Sequence, residues 1–112
     1  MRFLTNLMNG LKKDSMREVI ISGVVEQRIE ELEFYLVDEL KLSEEAALKR
    51  SWRMREFVAS LCHPVDYALC RFKRWRALGY RCAVFEGWVF AYEILDDGVI
   101  VRDMMYGSSL IE

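Results

Sequence analysis

The chain has 112 residues, 53% of them apolar and 30% charged, with a formal net charge of −2. That length accommodates one ordinary hydrophobic core rather than two, and the apolar fraction excludes a disordered or fibrous chain. The slight acidic excess gives the molecule as a whole no electrostatic footprint for nucleic acid, and no apolar run approaches the ~20 residues of a membrane-spanning helix.

The first fifteen residues differ from the rest of the chain. A weakly apolar start, Phe3 to Met8, breaks at Asn9-Gly10 and ends in Lys12-Lys13-Asp14, too short and polar for a secretory signal. Met16 then opens a clean strand pattern, Arg17 to Ser22. Residues 1–15 therefore read as an N-terminal extension from an upstream start, and residues 16–112 as the single domain.

After the strand, Val25, Ile29, Leu32, Leu36 and Leu40 recur at helical spacing, with Ser22 placed to cap the first turn through its hydroxyl. Lys41-Leu42 is a short break, and Ser43 followed by Glu44-Glu45 restarts a helix whose core face is Ala47, Ser51, Met54, Val58 and Leu61. Two helices joined so briefly pack antiparallel. His63-Pro64 ends the second, because proline has no amide to donate and restricts the residue before it.

Val65 to Gly79 reads as an irregular polar connection anchored by Trp75 and Leu78. Within it Arg71, Lys73, Arg74 and Arg76 form a basic cluster interleaved with Phe72 and Trp75. Such a cluster suits phosphates and stacked bases, or a solvated loop that accepts an acidic partner, and the acidic balance of the chain favours the latter. Cys62, Cys70 and Cys82 lack a C-x-x-C pair. With His63 they make only a nominal zinc set without paired spacing, so they read as reduced cysteines of a cytoplasmic protein with no metal and no cofactor.

Tyr80 to Phe85 is a further strand, turned by Glu86-Gly87 into Trp88 to Leu95. Asp96-Asp97-Gly98 leads into Val99 to Gly107. The Asp97-Gly98 pair is expected to supply the positive φ values of a tight hairpin turn. The fold class is α+β: a strand, an antiparallel helical hairpin covering one sheet face, then a three-stranded antiparallel meander.

This order resembles the RelE/ParE superfamily of toxins from bacterial toxin–antitoxin modules, from about Val19 to Ser109. The resemblance is carried by the strand ending in Ser22, the Ser43 to Ala47 helix start, Leu61-Cys62-His63-Pro64, Tyr80-Arg81, the Val89 to Ile94 and Val99 to Val101 strands, and Tyr106-Gly107-Ser108. It implies a growth-inhibiting toxin of a plasmid-stabilisation module, neutralised by a cognate antitoxin, acting on ribosome-bound messenger RNA in the RelE branch or on DNA gyrase in the ParE branch. The nuclease branch needs several cations around the scissile phosphate. Here Arg81 and Ala83 stand at its lysine positions, Val89 at its strand arginine, and Ser108 or Ser109 at its tail arginine.

The resemblance thus favours the ParE-like, non-nuclease side, with the messenger RNA nuclease and a non-toxic binding module as alternatives. If chemistry is retained, Arg81 and Tyr106 are its candidates. Arg71, Lys73, Arg74, Arg76 and Arg102 are the candidate partner-binding residues. As plain structural groups, Arg81 and Arg102 would pair with a carboxylate such as Glu93 or Asp103, Tyr106 would pack on the sheet edge, and Trp75, Trp88 and Tyr92 would belong to the core.

Overall fold

The computed structural model describes residues 16–110, so the extension expected over residues 1–15 lies outside the described residues. In chain order the elements are β1 (Glu18–Ile21), α1 (Gly23–Asp38), α2 (Glu44–Ala59) with a 3-10 turn (Ser60–Cys62), α3 (Lys73–Ala77), β2 (Arg81–Phe85), β3 (Trp88–Ile94) and β4 (Gly98–Tyr106). The class is α+β, as the hydrophobic periodicity predicts. The sheet order is β1-β4-β3-β2, in which β2, β3 and β4 form the antiparallel meander. β1 joins β4 in parallel, from Glu18 opposite Gly98 to Ile21 opposite Val101, so the sheet is mixed.

Both serine caps form. Ser22 Oγ accepts the Val25 amide at 3.4 Å and donates to the Arg102 carbonyl at 3.1 Å, tying the start of α1 to the sheet where β1 ends. Ser43 Oγ accepts the Ala46 amide at 3.1 Å. Each such cap contributes about 1 kcal/mol. The helical hairpin lies on one sheet face, where Val25, Ile29, Met54 and Val58 meet Val19, Ile21, Phe90, Tyr92, Val99, Val101 and Met104. Phe57 stacks on Phe85 at 4.8 Å and leans on Phe90 at 5.9 Å, anchoring α2 over the β2–β3 hairpin.

The anticipated core face of α2 is buried throughout, but Leu40 falls beyond the end of α1 and is 51% exposed. Between Pro64 and Tyr80 the expectation from sequence needs two corrections. The segment contains the short helix α3, and Leu78, expected as an anchor, is 58% exposed. Its apolar anchor is Trp75, packing with Cys70 and Ala91 in a second, smaller cluster on the opposite sheet face.

The turn chemistry also differs from expectation. Positive φ occurs at Glu86 (50°) and Gly87 (85°), the sign pattern of a type I′ hairpin turn, and not at Gly98. Gly98 is needed for another reason: a Cβ there would sit 2.1 Å from the Glu18 carbonyl oxygen, so only glycine lets β4 approach β1.

Candidate functional site

The four cations of the basic cluster lie on or beside α3, which starts after Phe72 in extended geometry and ends at Leu78. Arg71, Lys73, Arg74 and Arg76 are all exposed. None of them forms an ion pair among the described residues, whereas Arg17, Arg28, Arg53, Arg55 and Arg102 all do. Arg74 covers the Phe72 ring at 5.5 Å, and Phe72 meets Trp75 edge-on at 5.3 Å. Aromatic packing under the guanidinium holds α3 against the sheet while its charges face outward. Trp75 is 3% exposed, which removes it as a stacking platform for bases.

The lobe is fastened to β2. Leu69 bridges Arg81 in antiparallel fashion, the Cys70 amide donates to Tyr80 O at 2.9 Å, and the Cys82 amide donates to Ala68 O at 3.2 Å. This pairing brings the Cα atoms of Cys70 and Cys82 to 4.9 Å, and the two are joined by a disulfide. The expectation of three reduced cysteines is corrected accordingly. It failed because the Leu69–Arg81 bridge that aligns the two thiols is invisible in the spacing. Cys62 is free and buried, and burial pushes its thiol pKa up. Among the described residues no group of His, Cys, Asp and Glu is arranged to hold a metal ion.

Arg81 opens β2 opposite Tyr92, and its guanidinium donates to the Tyr67 carbonyl at 2.7 Å. It thereby braces the lobe's entry strand. Next to it the Tyr92 hydroxyl donates to Asp66 Oδ1 at 2.9 Å and accepts the Tyr67 amide at 3.0 Å, while Arg17 Nη2 donates to the same Asp66 oxygen at 2.6 Å. The Arg17 hydrogen bond holds the Asp66 carboxyl below its usual range, and burial pushes the Tyr92 phenol above its own.

Tyr106 lies at the other end of the sheet. It ends β4 opposite Trp88, meets that ring edge-on at 5.4 Å, and covers the Glu86-Gly87 turn so closely that a Cβ on Gly87 would fall 2.8 Å from its ring. With Trp88, Leu32, Leu36 and Met54 it lines a groove of about 310 Å³ that also contains Arg50, Arg53 and Glu86. Arg53 is paired with Glu86, and Arg50 forms no ion pair among the described residues.

Tyr92 and Trp88 are four positions apart on β3, so Arg81 on β2 and Tyr106 on β4 stand roughly 13 Å apart along the strand direction, with β3 lying between them as well. They do not form one site. Arg102 is the extra residue of a bulge in β4, opposite Ala91 and Tyr92, and is held by Glu93 Oε1 at 2.8 and 3.0 Å. Of the two arginines expected to pair with a carboxylate such as Glu93 or Asp103, Arg102 does so and Arg81 bonds a carbonyl instead, and Arg102 differs in this from the four cations of the lobe. Sequence reading missed Arg50 and Arg53 as groove residues, because helical periodicity assigns them only to the outside of α2. The Asp66–Arg17–Tyr92 network was missed because its members lie up to 75 positions apart, between Arg17 and Tyr92. No known protein family, curated protein or solved structure matches the chain.

Proposed function

We propose that the protein is a toxin component of a type II toxin–antitoxin module, of the ParE-like kind that acts by binding DNA gyrase and is neutralised by a cognate antitoxin. The observation that carries the non-nuclease side of this reading is the separation of Arg81 from Tyr106, by about 13 Å along the strands and by the width of β3 across the sheet, with the Arg81 guanidinium committed to the Tyr67 carbonyl. Phosphodiester cleavage needs cations and proton-transfer groups converging on one phosphate. Four cations without ion-pair partners among the described residues gather instead on the α3 lobe, where they suit docking of an acidic protein surface.

A second reading, messenger RNA cleavage, draws on the groove that brings Tyr106 near Arg50, Arg53 and Glu86. Inducible expression in a bacterial host separates the two. Growth arrest with a DNA-damage response, relieved by an acidic partner encoded beside the gene, is the expected result. Immediate arrest of translation with cut messages would favour the groove, and Arg53→Ala would then relieve it.

A further inference from the structure

Between Tyr67 and Tyr80 the chain carries four basic residues and no carboxylate. All four cations are exposed and lack ion-pair partners among the described residues. Like charges so close repel one another, and α3, with five residues, is too short to be stable alone. Among the described residues, the cluster that seats it buries Cys70, Trp75 and Ala91, against fourteen residues in the main core. The Cys70–Cys82 bond is therefore a principal tie holding this charge on one surface.

We propose that the bond is a redox clasp: closed, it presents the cationic lobe to a carboxylate-rich polypeptide, and opened, it releases the lobe and weakens that contact. The inference rests on the reading of the lobe as a partner-binding surface. A polypeptide is favoured over nucleic acid because Trp75 is buried, while the aliphatic side chains of Leu69 and Leu78 lie exposed among the cations, at 46% and 58%. These suit acidic and apolar side chains together.

Opening needs a dithiol reductant. One of its thiolates attacks Cys82 Sγ, since Cys82 is partly exposed and Cys70 is 1% exposed. The S–S bond breaks, and Cys70 leaves as a thiolate and takes up a proton. The second thiol of the reductant then resolves the mixed disulfide and frees Cys82. Two electrons pass from the dithiol, which becomes its own disulfide, and two protons end on the cysteine thiols.

The test is binding of the full chain to poly-L-glutamate and to single-stranded DNA at low salt, oxidised and after dithiothreitol, with hydrogen exchange followed in α3 and in β3. The oxidised protein is expected to bind polyglutamate about tenfold more tightly than the reduced protein does, and more tightly than it binds DNA. Faster exchange after reduction is expected in α3 and not in β3. The Cys70→Ser/Cys82→Ser variant should match the reduced protein in both conditions. Equal affinity in the two redox states, or exchange rising equally in β3, would overturn the clasp. Tighter binding of DNA would overturn the choice of partner. An oxidised Lys73→Ala/Arg74→Ala/Arg76→Ala variant that still binds polyglutamate normally would overturn the partner-surface reading itself.

Discussion

The hydroxyl of Tyr92, buried on β3, donates to Asp66 at 2.9 Å, and the same carboxylate oxygen receives Arg17 from the strand entry of β1. Three segments far apart in the chain are locked by this contact. Tyr92→Phe leaves the Tyr67 amide and Asp66 each short of a partner and should cost about 1–2 kcal/mol. Asp66→Asn weakens the Arg17 pair and should cost about the same. Urea denaturation of the two single variants and the double variant measures the coupling, and the expectation is a double-variant loss clearly smaller than the sum.

The same pair contributes to the pH dependence of stability at both ends. Asp66 titrates below its unfolded value because of Arg17, so its contribution is complete above ~4 and is lost as pH falls through the lower folded value. Burial holds the Tyr92 phenol above its unfolded value near ~10, so its contribution is complete below that and is lost as pH rises through the higher folded value. Unfolding midpoints against pH should fall on both sides of a plateau. Asp66→Asn should flatten the acid limb and Tyr92→Phe the alkaline limb. Unchanged limbs in the variants would contradict the assignment.

Two glycines should respond differently to alanine. Gly98→Ala drives a methyl group into the Glu18 backbone where β1 meets β4, and neither strand can yield without losing the parallel pair. A loss of about 3 kcal/mol or more is expected. Gly87→Ala adds left-handed strain and a contact with the movable Tyr106 ring, for about 1–2 kcal/mol. Thermal unfolding of both variants gives the order, and a milder effect at Gly98 would refute the close-approach argument.

Arg55 and Glu26 join the two helices through a largely buried pair at 2.7 Å, with side-chain exposures of 22% and 12%. The second Glu26 oxygen is buried without a hydrogen-bond partner among the described residues. Arg55→Ala would leave a carboxylate uncompensated between α1 and α2, for about 2–3 kcal/mol, whereas Arg55→Met/Glu26→Leu should recover most of it. Chemical denaturation of the three proteins checks both halves of the prediction.

Periodicity and cap chemistry made the helical hairpin legible, because Ala47, Ser51, Met54 and Val58 follow a helical repeat and Ser22 and Ser43 satisfy local amides. The meander was legible from its β-branched and aromatic runs. What escaped depends on long-range register. The parallel docking of β1 on β4 is written only in the absence of a side chain at Gly98, and the chain turns at Asp96-Asp97 as expected but without the positive φ that Asp97-Gly98 signals, which occurs at Glu86-Gly87. Similarly, the disulfide and the lobe's fastening depend on Leu69 meeting Arg81, which no local pattern encodes. The candidate residues were legible as charged types, while their grouping, with Arg81 and Tyr106 apart and Tyr106 beside Arg53, required the sheet.

The proposed function is tested most directly by adding the purified protein to a DNA gyrase supercoiling reaction, with a parallel translation reaction programmed with intact messenger RNA. Inhibited supercoiling with uncut message is the predicted result. Undisturbed gyrase together with message cleavage, or no effect on either reaction at saturating protein, would contradict it.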